Sequence, residues 1–451
     1  MKNYFGTDGI RGVAGEAPLD PATVHAIGLA LGEDLRAHLP APCVVIGQDT
    51  RESGDWIVAV LSAGLRARDV AVERAGVLPT PAVAFLTATG HYAAGVMISA
   101  SHNPFQDNGI KIFGPTGYKL PDAEEAEIEA AIEAELGRHP AAPTDAVESP
   151  LDPPNPALRA AYLDALLAGF AGTDFSGLNL VVDCAHGAAS TVAGELFARL
   201  GAHAAIIARE PNGRNINAGV GALHPEAMAA EVVARGADAG VAFDGDADRA
   251  ILADARGNIV DGDSVLLMAA RDLEAAGQLT VPIVVGTVMS NLGLELALQA
   301  HGIRLERAAV GDKYVLESMR KLGAVLGGEP SGHVIFGAEA TTGDGLRTAL
   351  HCFDLMARRR APLHALGDGW IRMPQRIVNV RVREKLPLDQ LAPVQAAIAA
   401  ANAHFGAAGR ILVRYSGTEK LARVMVEAAS AADVESHAQA IAQALQATIG
   451  E

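Results

Sequence analysis

A chain of 451 residues, half of them hydrophobic and one-fifth charged, has a soluble globular composition and the length for roughly three or four domains of ~100–200 residues. A formal net charge of −17 argues against non-specific binding to nucleic acid or to an anionic membrane, while leaving room for a local Arg/Lys cluster that takes an anionic small substrate. The three cysteines, Cys43, Cys184 and Cys352, match neither a zinc spacing nor a disulfide framework; with no apolar leader and no run of about 18 apolar residues, a cytoplasmic protein without membrane spans is expected.

Short β-rich runs alternate with helical patterns. CVVIG at 43–47 reads as a buried strand, 56–68 as a helix, VAVERAG as a strand and AGVMISA at 94–100 as another, and the glutamate-rich stretch 122–137 as a charged, solvent-facing helix. The next 19 residues, HPAAPTDAVESPLDPPNPA, hold six prolines and no periodicity, which marks a linker. A second block follows: the strand LNLVVDCA, a helix over 189–200, the strand AHAAIIA, a helix near 225–235 and ADAGVAF. The third block opens near Asp261 with a helix through LLMAARDLEAAG. It continues with PIVVGT, the helix LGLELALQAHG, RLERAAV and AVLGGE, and ends in a helix over 345–359. Beyond Pro374 the character changes, and QRIVNVRV, GRILVRYS and LARVMVEA alternate as strands beside Ala-rich helices. The expected domains are 1–150, 151–256, 257–371 and 372–451: three α/β domains and an α+β domain.

Five polar motifs sit at predicted strand ends or turns. In SASHNPFQDNGIK a tight turn exposes the Ser101 hydroxyl where open α/β sheets place ligands, and Lys111 is within reach as an acid/base or phosphate partner; a plain Ser/Asn turn is the competing reading. FDGDADR sets Asp244, Asp246 and Asp248 together, hard oxygen ligands suited to Mg²⁺, with Arg249 beside them for a phosphoryl group. An EF-hand is disfavoured by Ala255 at the twelfth position, and a solvated acidic turn by the mutual repulsion of three carboxylates. In GGEPSGH, Glu329, Ser331 and His333 can bond sugar hydroxyls, though a structural turn is equally compatible. RYSGTEK offers Arg414, Ser416, Gly417 and Thr418 as a donor set for a phosphate dianion, or an ordinary hairpin. FGTDGIRG presents Arg11 among glycines.

In this order the five motifs resemble the α-D-phosphohexomutase superfamily along essentially the whole chain. The stretches FGTDGIRG, DTRESG, NINAGVGALHPE, GTVMSNLGLE and VGDKYVLE are most similar to its bacterial phosphoglucosamine mutase family. The resemblance implies three similar α/β domains with mixed sheets and a TATA-binding-protein-like α+β domain, forming a heart-shaped molecule around a central cleft. It implies a phosphorylated Ser101 and one Mg²⁺ per chain on Ser101, Asp244, Asp246 and Asp248. Sugar contacts fall to Glu329 and Ser331, and Arg414, Ser416, Gly417 and Thr418 hold the non-reacting phosphate. Lys111, His102 and His333 are candidates for proton transfer, with Lys111 first and its pKa needing to be lowered; Arg11 and Arg249 stabilise charge. The implied reaction interconverts glucosamine 6-phosphate and glucosamine 1-phosphate through glucosamine 1,6-bisphosphate, feeding UDP-N-acetylglucosamine and cell-wall precursors; homodimers are common in the family, and the sequence leaves the oligomeric state open. A phosphomannomutase/phosphoglucomutase of the same mechanism, a non-catalytic sugar-phosphate sensor and a magnesium-dependent phosphatase are the alternatives. Pro330 stands where glucosamine-type members commonly carry a polar residue such as Gln, which keeps the first alternative open.

Overall fold

The computed structural model describes residues 4–6, 8–139, 141, 151–416 and 420–451, so most of the proline-rich linker lies outside the described residues. They divide into two compact units, Met1–Thr287 with Ala308–Asp368, and Val288–Arg307 with Gly369–Glu451.

The first unit holds three mixed sheets. In the first, the strand Cys43–Gln48 runs parallel to both Ala71–Val77 and Ala94–Ile98, and the last of these pairs antiparallel with Asp107–Phe113. The CVVIG run is apolar on both faces because parallel strands are covered by helices on both sides. The helix Pro21–His38 starts at an Asp20 cap whose carboxylate accepts the Ala22 and Thr23 N–H groups at 3.1 Å, with Pro21 in the first turn. It packs on the helix Gly54–Arg66 at glycine contacts: a Cβ on Gly28 would lie 2.4 Å from Leu61 O. The helix Asp122–Arg138 is not solvent-facing all round, as its composition suggested. Glu125, Glu129 and Glu135 are buried; Glu129 accepts the Tyr4 and Phe5 N–H groups at 2.8 and 2.7 Å, and Glu135 pairs with Arg68 at 3.0 Å. A carboxylate with such partners can sit on the inner face of a helix.

The second sheet sets Asn179–Asp183 parallel to His203–Ile207 and Ala239–Phe243, then Ala250–Asp254 antiparallel to the latter. The helix expected from 189 begins at Ala193, after a short 3₁₀ turn over Ala188–Thr191. In the third sheet Ile283–Thr287 runs parallel to Leu326–Gly328, which pairs antiparallel with Val334–Phe336.

These three sheets share a device. In each, a parallel strand turns back into an antiparallel neighbour, and the turn is a polar motif. The serine loop joins Ala94–Ile98 to Asp107–Phe113, the aspartate loop joins Ala239–Phe243 to Ala250–Asp254, and GEPSGH joins Leu326–Gly328 to Val334–Phe336. All three motifs therefore lie outside the carboxyl ends of parallel strands, the usual ligand position in α/β sheets.

In the second unit the strand Leu421–Ala428 lies between Gln375–Arg381 and Gly409–Tyr415, all antiparallel. The helices Ala392–Phe405 and Ala431–Ile449 belong to the same apolar core, with Val380, Val424, Val426, Val394, Ile441 and Leu445 buried in it. The segment Val288–Arg307 is tied into this unit by polar bonds. The Asn291 amide exchanges bonds with Met373 N and O at 2.9 and 3.0 Å, and the Arg410 guanidinium donates to Val288 O and Ser290 O at 2.7 and 3.0 Å. Among the described residues, no helix is long and apolar enough to cross a membrane.

Candidate active site

Ser101 is 1% exposed and sits at φ +55°, a left-handed conformation that costs a non-glycine residue about 1–2 kcal/mol. That turn aims its hydroxyl at the aspartate loop: Oγ donates to Asp244 Oδ2 at 2.6 Å and lies 3.3 Å from His102 Nδ1. Two loops 143 residues apart in sequence are thereby joined through a reactive hydroxyl.

Asp244, Asp246 and Asp248 each offer a carboxylate oxygen within 4.8 Å of the others, and all three are buried. Asp246 Oδ2 accepts from Thr80 Oγ1 at 2.5 Å and from Lys111 Nζ at 2.8 Å. Among the described residues, Asp246 Oδ1 and Asp248 Oδ1 are buried without a hydrogen-bond donor. Burial, then the charges of Asp248 and Asp246, push the Asp244 carboxyl well above the usual carboxylate range. Orphaned buried carboxylate oxygens gathered in one triad are what a hard divalent cation satisfies, so the residues present fit a magnesium ion.

Lys111, 1% exposed, projects from Asp107–Phe113 into a ring of carboxylates: Asp246 at 2.8 Å, Asp8 at 3.1 Å and Asp248 at 3.3 Å. Burial opposes its charge, but Asp246, Asp8 and Asp248 outweigh burial and hold its pKa well above the ordinary lysine value. This is opposite to the lowering that a general base needs. His102 differs: burial, then Arg249 and Arg11, push its imidazole down to about 4, so it is neutral near pH 7. His333, 2% exposed, accepts the Gly343 N–H on Nε2 at 3.0 Å, which assigns its proton to Nδ1, 3.6 Å from Asp248 Oδ1.

A cavity of about 360 Å³ opens beside these groups, lined by Arg11, His102, Asp248, Arg249, Glu329 and His333, with Asp8 and Asp312 on its wall. Arg249 Nε is buried there with no hydrogen-bond acceptor among the described residues, and it pairs with Asp248 Oδ1 at 3.8 Å. Arg11 is held by the Asp8 carboxylate, and Lys119 bridges Asp8 and Asp312. Glu329 Oε1 accepts the Gly311 N–H at 3.0 Å, fixing one end of its carboxylate at the cavity edge. Its loop docks on the aspartate loop's exit strand: Ala250 N donates to Gly332 O at 3.0 Å, and a Cβ on Gly332, at φ +90°, would lie 2.3 Å from Ala250 O. Pro330 O accepts from Gly262 N at 3.2 Å, a bond that needs no donor from residue 330. Ser331 is half-buried in this turn and does not line the cavity.

In the second unit, Arg414 on Gly409–Tyr415 faces Arg423 across the sheet, and both line a cavity of about 290 Å³ with Met289, Asn379, Leu412 and Met425. Burial, then the charge of Arg423, lowers the pKa of Arg414. Ser416 is 5% exposed, and its carbonyl accepts from Lys385 Nζ at 2.7 Å. Gly417 and Thr418 lie outside the described residues.

Five residues absent from the motif-based site are central to it: Asp8, Thr80, Lys119, Asp312 and Arg51. Asp8, Arg51 and Asp312 stand inside the quoted stretches FGTDGIRG, DTRESG and VGDKYVLE, so a charged residue within a glycine-bearing motif was the available signal. Thr80 and Lys119 carry no comparable mark.

Three mixed sheets that bring a serine hydroxyl, a carboxylate triad, a lysine and an arginine to one cavity define an α/β enzyme of phosphoryl transfer. Four family models match the chain: phosphoglucomutase/phosphomannomutase alpha/beta/alpha domain I over residues 2–138, domain II over 160–257, domain III over 261–372, and the C-terminal domain over 377–444. The chain belongs to the phosphoglucomutase/phosphomannomutase family. Within it, a curated relative from Koribacter versatilis and one from Solibacter usitatus, both named phosphoglucosamine mutase, are each 52% identical to this chain. They align over 100% of this chain and over 98% and 100% of their own lengths. Among solved structures, a phosphoglucomutase/phosphomannomutase family protein from Burkholderia thailandensis is 25% identical with a TM-score of 0.80, over 98% of this chain and 97% of that one. Aspergillus fumigatus N-acetylphosphoglucosamine mutase, solved with GlcNAc-6P and magnesium, shares the fold at 18% identity and a TM-score of 0.65, over 99% of this chain and 96% of its own.

Proposed function

We propose that this chain is a phosphoglucosamine mutase that interconverts glucosamine 6-phosphate and glucosamine 1-phosphate through a phosphorylated Ser101 and a 1,6-bisphosphate intermediate. The observation that carries the reading is the Ser101 hydroxyl at 2.6 Å from Asp244, inside a buried carboxylate triad and beside a cavity with two guanidinium groups. Full-length relatives of the same name support the choice of sugar.

Asp244, Asp246, Asp248 and the seryl oxygen would hold Mg²⁺, which would supply charge neutralisation at the transferring phosphoryl group. Arg249, whose Nε has no hydrogen-bond acceptor among the described residues, binds an equatorial phosphoryl oxygen, and Arg11 adds positive charge at the cavity. Lys111, held charged by its carboxylates, balances the negative charge of the triad. His102, neutral and 3.3 Å from Ser101 Oγ, takes the sugar proton, and His333 is the second imidazole at the cavity. Glu329, at the cavity edge, bonds sugar hydroxyls, while Ser331, off the cavity wall, shapes the turn that carries it; Arg414, Ser416, Gly417 and Thr418 grip whichever phosphate is not reacting. The enzyme acts in the cytoplasm, as a homodimer.

The test is turnover of phosphorylated, Mg²⁺-loaded protein on glucosamine 6-phosphate, glucose 6-phosphate and mannose 6-phosphate side by side, with Ser101→Ala as the blank. The expected kcat/KM favours the amino sugar by about 2 kcal/mol of transition-state binding, roughly thirtyfold. Equal or reversed preference makes the chain a broader hexose mutase.

A further inference from the structure

Arg51 and Asn217 lie in DTRESG and NINAGVGALHPE, stretches to which the chemistry above gives no task. Their side chains converge on the same two carbonyl oxygens of the serine loop. Arg51 Nη2 donates to Ser101 O at 2.9 Å and to Asn103 O at 2.8 Å; Asn217 Nδ2 donates to the same oxygens at 2.9 and 3.2 Å. Arg51 Nη1 continues along the loop to Asp107 O at 2.9 Å and to Pro104 O. Its Nε is anchored on Asp49 Oδ2 at 2.9 Å, and that oxygen also accepts from Ser99 Oγ at 2.6 Å. Ser99 Oγ in turn accepts the Ser101 N–H at 2.9 Å. The Arg51 and Asp49 side chains are both 0% exposed.

A residue at φ +55° relaxes toward negative φ unless its surroundings hold it. Relaxation would rotate the peptide planes flanking Ser101 and swing Oγ away from Asp244. It would also break both donors on Ser101 O and the bond on Ser101 N. A guanidinium reaching four carbonyls at once suits such a clamp, and an ammonium does not. The aspartate loop shares in it: a Cβ on Gly245 would lie 2.5 Å from Ser101 O and 2.9 Å from Asn217 Nδ2.

We infer that Arg51 and Asn217 are positioning residues for the phosphoryl-transfer step. Together they lock the Ser101 carbonyl and so hold the serine in the left-handed turn that points its hydroxyl at Asp244, beside the cavity. The inference rests on the mutase reading for its kinetic consequence.

The experiment compares Asn217→Asp, which keeps shape but replaces the donor with an acceptor, Asn217→Ala, and Arg51→Lys, which keeps charge but not the fork. Each is measured as full-length, phosphorylated, Mg²⁺-loaded protein beside the wild type. The expected result is a fall in kcat of roughly tenfold to hundredfold with KM within about twofold, and an equal slowing of single-turnover phosphate transfer from Ser101 to the sugar phosphate. Wild-type kcat in all three variants overturns the inference, as does a parallel loss of kcat and thermal stability with no kcat–KM split. A crystal structure of Asn217→Ala supplies a readout independent of the reaction: Ser101 still at positive φ with Oγ on Asp244 overturns the clamp, and a relaxed turn supports it. A wild-type phosphoenzyme that passes phosphate to no hexose phosphate sinks the mutase reading instead, and the crystallographic result still decides the clamp.

Discussion

Replacing Lys111 by Met removes one charge and little volume from the most densely charged point of the molecule. Its ammonium stands between Asp246, Asp8 and Asp248, at 2.8, 3.1 and 3.3 Å, and the side chain is 1% exposed. Asp8 keeps Arg11 and Lys119, and Asp248 keeps Arg249 and His333, so the loss falls chiefly on Asp246, whose Oδ1 has no donor among the described residues. Removing one member of a buried ion pair costs about 3–5 kcal/mol, because the remaining charge stays desolvated. Against a typical total of about 5–15 kcal/mol this is a large fraction. In EDTA near neutral pH, Lys111→Met should therefore unfold at a markedly lower denaturant concentration than wild type. Mg²⁺ replaces the missing positive charge, so adding it should stabilise the variant by more than it stabilises wild type. Chemical denaturation followed by circular dichroism, with EDTA and with saturating Mg²⁺, measures both. An EDTA midpoint equal to the wild-type midpoint would refute the electrostatic account of the cluster, and so would equal stabilisation of the two proteins by Mg²⁺.

Arg414→Ala removes a charged donor from the proposed grip on the non-reacting phosphate, worth about 2 kcal/mol, and steady-state kinetics should show KM raised roughly thirtyfold with a smaller change in kcat; an unmoved KM would show that Arg414 does not hold the phosphate. Glu339 gives a pH signature away from the site. Burial works to raise its carboxyl, but the His351 and Arg347 contacts outweigh burial and bring it from 4.5 down to about 2. Its folded value is the lower one, so its contribution is present above about pH 4.5 and is lost as pH falls toward 2. Glu339→Gln should flatten the loss of stability across that window in acid titrations, and an unchanged slope would count against the Glu339 contacts.

Much of the molecule is local, and the sequence determined it alone. The apolar run CVVIG, the periodic stretch ending in the helix Gly345–Arg359 and the three alternating C-terminal strands carry their periods in neighbouring residues, and the elements appear where those periods place them. The polar motifs at strand ends were legible for the same reason: a buried run followed by glycine and polar residues marks a turn wherever the strand lies. What only the tertiary structure decided is which turns meet. Nothing within residues 99–111 states that Ser101 will bond Asp244, that Lys111 will be ringed by three carboxylates from two other loops, or that Arg51 will span the serine loop's carbonyls. The same holds for Glu129, which a local count of charges puts in water and the fold buries against the Tyr4 and Phe5 amides. Side-chain periodicity encodes the face a residue occupies. The charge and donor partners that set its pKa and its chemistry are fixed by contacts without a characteristic sequence separation, and these exist only once the sheets have packed.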